Sequence, residues 1–297
     1  MSCREGLLDA EAKVDPFRLS FVGVGPQRTG SSWLHNLLAD HPALCLPKDV
    51  KETMFFDRYY RAGLPWYASH FAHCKSGQLC GEIGSSYLDL ARVAEAIRQH
   101  NPDCRIIINL RNPIERARSL HLHHWSKGRA AASFTEAVSQ KPQIVDSGRY
   151  GIHVPRWLDL FGRDRVHFVW LDDVQYSPSE VFASLCDFLG VERMRMPAVG
   201  QAKTYSGQTA RFPMLSRIAV ALAYKLRSKR FYKLIKLGKT LGFKRLVYGS
   251  VGQSAPRLTP IELERLAEVY EPDICYLECL LGRDLSAWRQ QAEPALT

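Results

Sequence analysis

The sequence predicts an α/β domain with a central parallel sheet and helices on both faces, and three stretches carry that reading. Phe21 to Leu38, FVGVGPQRTGSSWLHNLL, begins as a short buried strand, passes through a Gly/Pro turn rich in hydroxyls, and continues with Leu34, Leu37 and Leu38 at helical spacing. The stretch CRIIINLRNPIERARSLHLHHW repeats that order. Arg105 to Leu110 form a buried strand by composition, Arg111-Asn112-Pro113 turn the chain, and a helix runs on from Ile114. Further along, VHFVWLDDV reads as another buried strand and PSEVFASLCDFLGV as a helix closed by Gly190. Strands alternating with helices imply right-handed crossovers, a sheet covered on both sides, and ligands at the C-terminal ends of the strands.

Length and composition agree with one such domain. A chain of 297 residues that is 46% hydrophobic buries a sizeable core. Residues 1–16 read as a polar lead-in and 17–297 as the domain. The first twenty residues contain no continuous apolar stretch of the kind a secretory signal needs. The longest tempting run, Ile218 to Tyr224, is far short of the roughly 20 residues of a membrane span. Eight scattered cysteines without a CxxC pair suit a reducing compartment and mostly buried thiols, so the expected location is cytoplasmic. The net charge of +10 is unevenly distributed. Between Glu192 and Glu262 lie fifteen Lys and Arg and no acid, while the rest of the chain is slightly negative.

In chain order, the first turn has the composition of an anion site. A loop between strand and helix aims free backbone N–H groups and the positive end of the helix dipole at one point, and here adds Arg28, Thr29, Ser31 and Ser32. It is P-loop-like without being a Walker A loop, which ends in Gly-Lys-Ser/Thr. The basic residue here precedes Gly30 by two positions, and no lysine follows. The order Pro26-x-Arg28-Thr29-Gly30-Ser31-Ser32-x-Leu34 resembles the 5′-phosphosulfate loop of sulfotransferases that use 3′-phosphoadenosine 5′-phosphosulfate (PAPS) and release 3′-phosphoadenosine 5′-phosphate (PAP). In that family the basic position is usually lysine. The resemblance implies donor contacts from Arg28, Thr29, Gly30, Ser31, Ser32 and Trp33.

Helix one ends near His41-Pro42, because the residue before proline is pushed out of helical geometry. Leu44 to Leu46 read as a second short strand, and Pro47 to Thr53 as a loop presenting Lys48, Lys51 and Glu52 ahead of Phe55-Phe56. This looks like the K-E-x-x-F-F segment of carbohydrate and heparan sulfate sulfotransferases, where the glutamate is a candidate general base and Lys51 would steady the sulfuryl oxygens. The competing readings are a surface glutamate paired with Lys48 or Lys51, and a Lys51 side chain that simply faces water. GEIGSSYL, from Gly81, is similar to a strand end that faces the active site in those enzymes; their lysine after the glutamate is Ile83 here. Glu82 is therefore read either as a second acid/base candidate or as a buried structural group.

The stretch from Arg111 resembles the family's 3′-phosphate motif, R-[DN]-P-x-x-R-x-x-S, with Arg111 and Ser119 at the phosphate-holding positions. An arginine suits a phosphate dianion through paired, charge-assisted hydrogen bonds. His121, His123 and His124 are expected on a polar helix face rather than on a metal, since no cysteine or carboxylate cluster completes a coordination sphere. Tyr150, Val154, Trp157, Leu158 and Phe161 share a core-facing helix side, and Cys275 and Cys279 read as core positions.

The acid-free segment QAKTYSGQTARFPML falls where sulfotransferases often close a loop over the nucleotide. The resemblance implies Lys203, Ser206, Gly207 and Arg211 as partners there. Residues 212–250 read as a basic helical segment: one that attracts an anionic acceptor, one that touches an anionic membrane surface peripherally, or a solvated helix face. A capping box from Thr259 to Glu262 opens a C-terminal helix over 259–282.

The combined expectation is a sulfotransferase that moves the sulfuryl group of PAPS to a hydroxyl or amine of a small-molecule or carbohydrate acceptor, with no metal and no nucleic acid partner. Two rivals are a nucleotide kinase or other NTP-binding enzyme, and a non-catalytic protein that binds nucleic acid or an anionic surface through residues 193–261.

Overall fold

A computed structural model describes residues 17–198, 222–229, 231–232 and 255–289. The chain runs β1 (Phe21–Gly23), α1 (Ser31–Ala39), β2 (Leu44–Cys45), α2 (Leu64–Ala68), β3 (Leu79–Ile83), α3 (Ala91–His100), β4 (Arg105–Leu110), α4 (Pro113–Ser126), α5 (Phe134–Gln140), α6 (Gln143–Asp146), α7 (Tyr150–Phe161), β5 (Val166–Trp170), α8 (Leu171–Tyr176), α9 (Pro178–Leu189) and α10 (Pro260–Leu281). Five parallel strands form one sheet in the order β2-β3-β1-β4-β5. Strand order turns back on itself around β1, and the loops that leave β1 and β4 there open the crevice where such sheets bind ligands.

Both faces of the sheet are buried, and the period-two alternation of strand side chains divides them. Phe21, Ile83, Ile107 and Val169 pack with Leu34, Leu37, Phe182 and Leu185 of α1 and α9. Val22, Ile106 and Ile108 face a second cluster with Val93, Trp157, Tyr270 and Leu277 of α3, α7 and α10. Each fully buried Leu, Ile or Phe contributes about 1.5–3 kcal/mol, so this two-sided core holds the strand ends rigidly. The expected helix ends are present: Gly190 closes α9 in the left-handed region, and the Thr259–Glu262 capping box opens α10.

Several expectations need correction. Cys45 and Cys74 form a disulfide, so the thiols are not uniformly reduced. Spacing could not reveal this, because the two meet only when β2 pairs with β3 and the segment after α2 folds across it. His73 adjoins the pair, 3.4 Å from Cys45 Sγ. Cys275 and Cys279 are exposed, on the outward side of α10, where Leu277 alone of that turn faces the core. His121 is buried, its Nε2 2.9 Å from the Ala131 carbonyl, because α4 turns that position toward the chain after it. No helix among the described residues is long and apolar enough to cross a membrane. Residues 1–16, Lys203, Ser206, Gly207, Arg211 and most of 212–250 lie outside the described residues; 222–228 are helical.

Candidate active site

The loops after β1, β2, β3 and β4 converge at the C-terminal edge of the sheet. The loop after β1 passes so close to β4 that a Cβ on Gly25 would lie 2.6 Å from Asn109 Cβ, so a glycine is required there. Gly30 caps α1 in the left-handed region and makes no side-chain cap bond. The first-turn amides and the helix dipole point toward the loop. α4 differs: Asn112 accepts from the amides of Ile114 and Glu115, so that helix start is self-capped, and an anion there would rely on side chains.

Three sequence-predicted groups meet. Arg28 Nε donates to Ser119 Oγ at 3.0 Å, and an Arg111 guanidinium nitrogen donates to the Arg28 carbonyl at 3.3 Å. Lys51 Nζ donates to Ser31 Oγ at 3.1 Å and pairs with Glu52 Oε1 at 2.7 Å. Ser85 Oγ donates to the same carboxylate oxygen at 2.9 Å. Arg111 is further placed by Glu115 at 3.6 Å and by the Tyr150 hydroxyl, which donates to its carbonyl at 2.9 Å.

The remaining predicted residues contribute differently. Thr29 is fully buried and its hydroxyl donates to the Pro26 carbonyl at 2.7 Å, which shapes the loop. The Trp33 indole packs in the α1–α9 cluster. Ser32 is exposed. Arg116, the second arginine of the 111–119 stretch, is fully buried and donates to Ser147 Oγ at 3.0 Å and to the Ile144 carbonyl at 2.7 Å, an architectural role.

Among the described residues, the non-glycine residues with left-handed backbone are Arg28 (φ 76°), Asp49 (φ 66°) and Met54 (φ 57°). All three lie in these two loops, and the latter two bracket Lys51 and Glu52. Such conformations cost roughly 1–3 kcal/mol each and persist where surrounding contacts hold them, which is characteristic of functional loops.

Burial dominates the titration of the imidazoles beside the crevice. Burial and Lys51 lower the His35 pKa to about 4, partly opposed by Glu52. Burial, then Arg28, lowers that of His123 to about 4. Both imidazoles are neutral at pH 7.

Sequence reading left four neighbours of Glu52 without a role. Ser85 bonds it directly; Ser86 donates to Asp57 Oδ2 at 2.8 Å; Thr53 and Tyr87 both bond Glu82. For Ser85, Ser86 and Tyr87 the signal was the cluster of hydroxyls in GEIGSSYL, at the end of the strand paired with β2 and distant in sequence from the segment they serve. The helical stretch 222–228 docks on the same side: the Tyr59 hydroxyl donates to the Tyr224 carbonyl at 3.0 Å, Arg58 lies 4.7 Å over the Tyr224 ring, and Arg227 reaches Met54 Sδ at 3.8 Å.

Glu82 is wholly buried, and desolvation raises its pKa from 4.5 to about 7. The folded state thus keeps a proton that the unfolded chain has already lost between these values, so this group's stabilising contribution is full below pH 4.5 and is lost as pH rises through about 7. Thermal melts across this window are expected to show wild-type Tm falling relative to Glu82→Gln; parallel melting curves would contradict it.

Fold and crevice together define an α/β domain of P-loop type in which Ser31 stands where NTP enzymes carry a lysine and the basic residue, Arg28, precedes the glycine by two positions. Residues 21–212 match the sulfotransferase domain family, and the chain belongs to it: it is a sulfotransferase. It is 28% identical over 261 residues to the human heparan sulfate glucosamine 3-O-sulfotransferase 6, covering 84% of this chain and 68% of that protein. It is 27% identical over 189 residues to the bifunctional heparan sulfate N-deacetylase/N-sulfotransferase 1 of Caenorhabditis briggsae, covering 56% of this chain but 22% of the relative. The crystal structure of a sulfotransferase from Alicyclobacillus acidocaldarius shares the fold, with TM-score 0.68, 24% identity, and coverage of 92% of this chain and 100% of that one.

Proposed function

We propose that this sulfotransferase moves the sulfuryl group of PAPS onto a hydroxyl or amine of an anionic carbohydrate by in-line displacement. The observation that carries this reading is the meeting of residues 28–31, 51–52 and 111–119 in one hydrogen-bonded crevice. The loop amides and Arg28 receive the 5′-phosphosulfate, and Arg111 and Ser119 the 3′-phosphate. Glu52 takes the proton of the acceptor as the new bond to sulfur forms, and the bridging oxygen leaves with the 5′-phosphate. Lys51, between Ser31 and Glu52, sits where it can follow charge from the sulfuryl oxygens. The carbohydrate acceptor is supported by the names of the relatives, which act on heparan sulfate, and its anionic character by Arg58 and Arg227 beside Met54. A kinase reading is disfavoured because no lysine follows Gly30.

Titration with PAP and with ATP–magnesium tests the donor. PAP is expected to bind in preference, and Arg111→Ala to weaken it about 10–100-fold, the scale of a lost charged hydrogen bond of 1.5–3 kcal/mol. The same variant should bind adenosine 5′-phosphosulfate, which lacks the 3′-phosphate, almost as wild type does. Equal binding of ATP–magnesium and PAP would overturn the reading. A panel of neutral and acidic saccharides with labelled donor then identifies the acceptor class.

A further inference from the structure

The segments KETMFFD (Lys51–Asp57) and GEIGSSY (Gly81–Tyr87) are joined by side chains along their length. Ser85 bonds Glu52, Ser86 bonds Asp57, and Thr53 Oγ1 donates to Glu82 Oε2 at 2.5 Å. The Tyr87 hydroxyl donates to Glu82 Oε1 at 2.6 Å. Thr53 is 1% exposed and Glu82 0%. Val22 of β1 is in register with Glu82, so this carboxylate enters the large apolar cluster from the sheet itself, on a rigid element.

The Thr53 hydroxyl makes two bonds. It accepts from the Phe55 amide at 3.1 Å and donates to Glu82. The first bond spans Met54, the residue held at φ 57°. Hydroxyl-to-amide turns of this type stabilise local backbone shapes that the chain would otherwise leave. Glu82 orients that hydroxyl so that a lone pair faces Phe55 and its hydrogen faces the carboxylate. We propose that Glu82, acting through Thr53, is a positioning residue that fixes the strained turn at Met54 and thereby the placement of Glu52 over the crevice. This rests on the reading of Glu52 as the base.

The arrangement depends on the ionised carboxylate. Its two oxygens accept from two donors, Thr53 and Tyr87, and a proton on either oxygen competes with one of them. The groups facing Glu82 are Thr53, the phenols of Tyr67 and Tyr87, and the carboxylates of Asp57 and Glu52. Burial with two further acids nearby is why the carboxyl takes up its proton near pH 7. Ionisation thus costs folding stability and supports positioning, so the two run in opposite directions with pH.

The test uses the full chain, PAPS and an acceptor active with wild type. Thr53→Val is expected to lower kcat about tenfold, on the scale of one unmade buried hydrogen bond. PAP affinity should be unchanged, and Thr53→Ser should restore the rate. Wild-type kcat should fall as pH drops through about 7, and Glu82→Gln should remove that inflection. Wild-type kcat in Thr53→Val, an inflection that survives in Glu82→Gln, or parallel loss of kcat and PAP affinity in Thr53→Val would each overturn the positioning role. Where Glu82→Gln does not fold, the Thr53 pair decides. The base assignment is judged separately: full turnover in Glu52→Gln rejects Glu52 as base, whereas full turnover in Thr53→Val beside an impaired Glu52→Gln rejects the positioning alone.

Discussion

Replacing Arg28 with alanine is expected to lower kcat about 10²–10³-fold, the usual consequence of removing one preorganised donor from developing charge. Negative charge grows on the bridging oxygen of the donor as sulfur leaves, and the guanidinium sits at the α1 end of the crevice, bonded to Ser119. Both ends of the nucleotide then feel its removal, but the ground state less than the transition state, because the leaving oxygen gains its charge only as the bond breaks. PAPS affinity should therefore fall by less than turnover. Alanine meets the same left-handed backbone at this position as arginine does, so relief of strain does not blur the comparison. Arg28→Lys keeps the charge and loses the planar fork, so partial recovery is expected. Measured with labelled donor, an unchanged kcat in Arg28→Ala would remove this residue from the chemistry.

Glu52→Gln is expected to lower kcat about 10²–10⁴-fold, the range for loss of a positioned general base. Glutamine preserves the size of the side chain and an oxygen for Ser85, but it cannot take a proton. Donor binding should survive, since the proposed phosphate contacts lie on the loop after β1 and on Arg111 and Ser119. Calorimetry with PAP separates these effects: wild-type affinity with depressed turnover is the expected pair of results. Normal turnover would move the base elsewhere, with Asp57, two bonds away through Ser86 and the same strand end, next in line.

Local rules were enough for the elements. The β4 strand, the α9 stop at Gly190 and the α10 capping box follow from buried β-branched runs, a left-handed glycine and a Thr-x-x-Glu pattern. The two strand–turn–helix junctions were legible for the same reason: each is contiguous in the chain. Partners across space were not. Thr29 and Trp33 look equivalent to Ser31 in the sequence, yet the first hydroxyl closes its own loop and the indole fills the core. His121 and Cys275 exchanged their expected surroundings because helix phase against neighbouring elements, rather than residue type, decides which side is buried. Ile83 was noticed only as a missing lysine, whereas the structure makes it part of the α1–α9 packing.

By itself, the sequence determined a parallel α/β domain, two strand–turn–helix junctions and the family to which they belong, because each of these is written in fewer than about twenty consecutive residues whose periodicity and turn chemistry act locally. The tertiary structure decided that Arg28 lies against Ser119, that Lys51 reaches Ser31, and that Glu82 governs Thr53. Those contacts join residues 20 to 91 positions apart. They exist only once strand order and two-sided packing have brought four loops to one edge of the sheet, and no local preference encodes that distance.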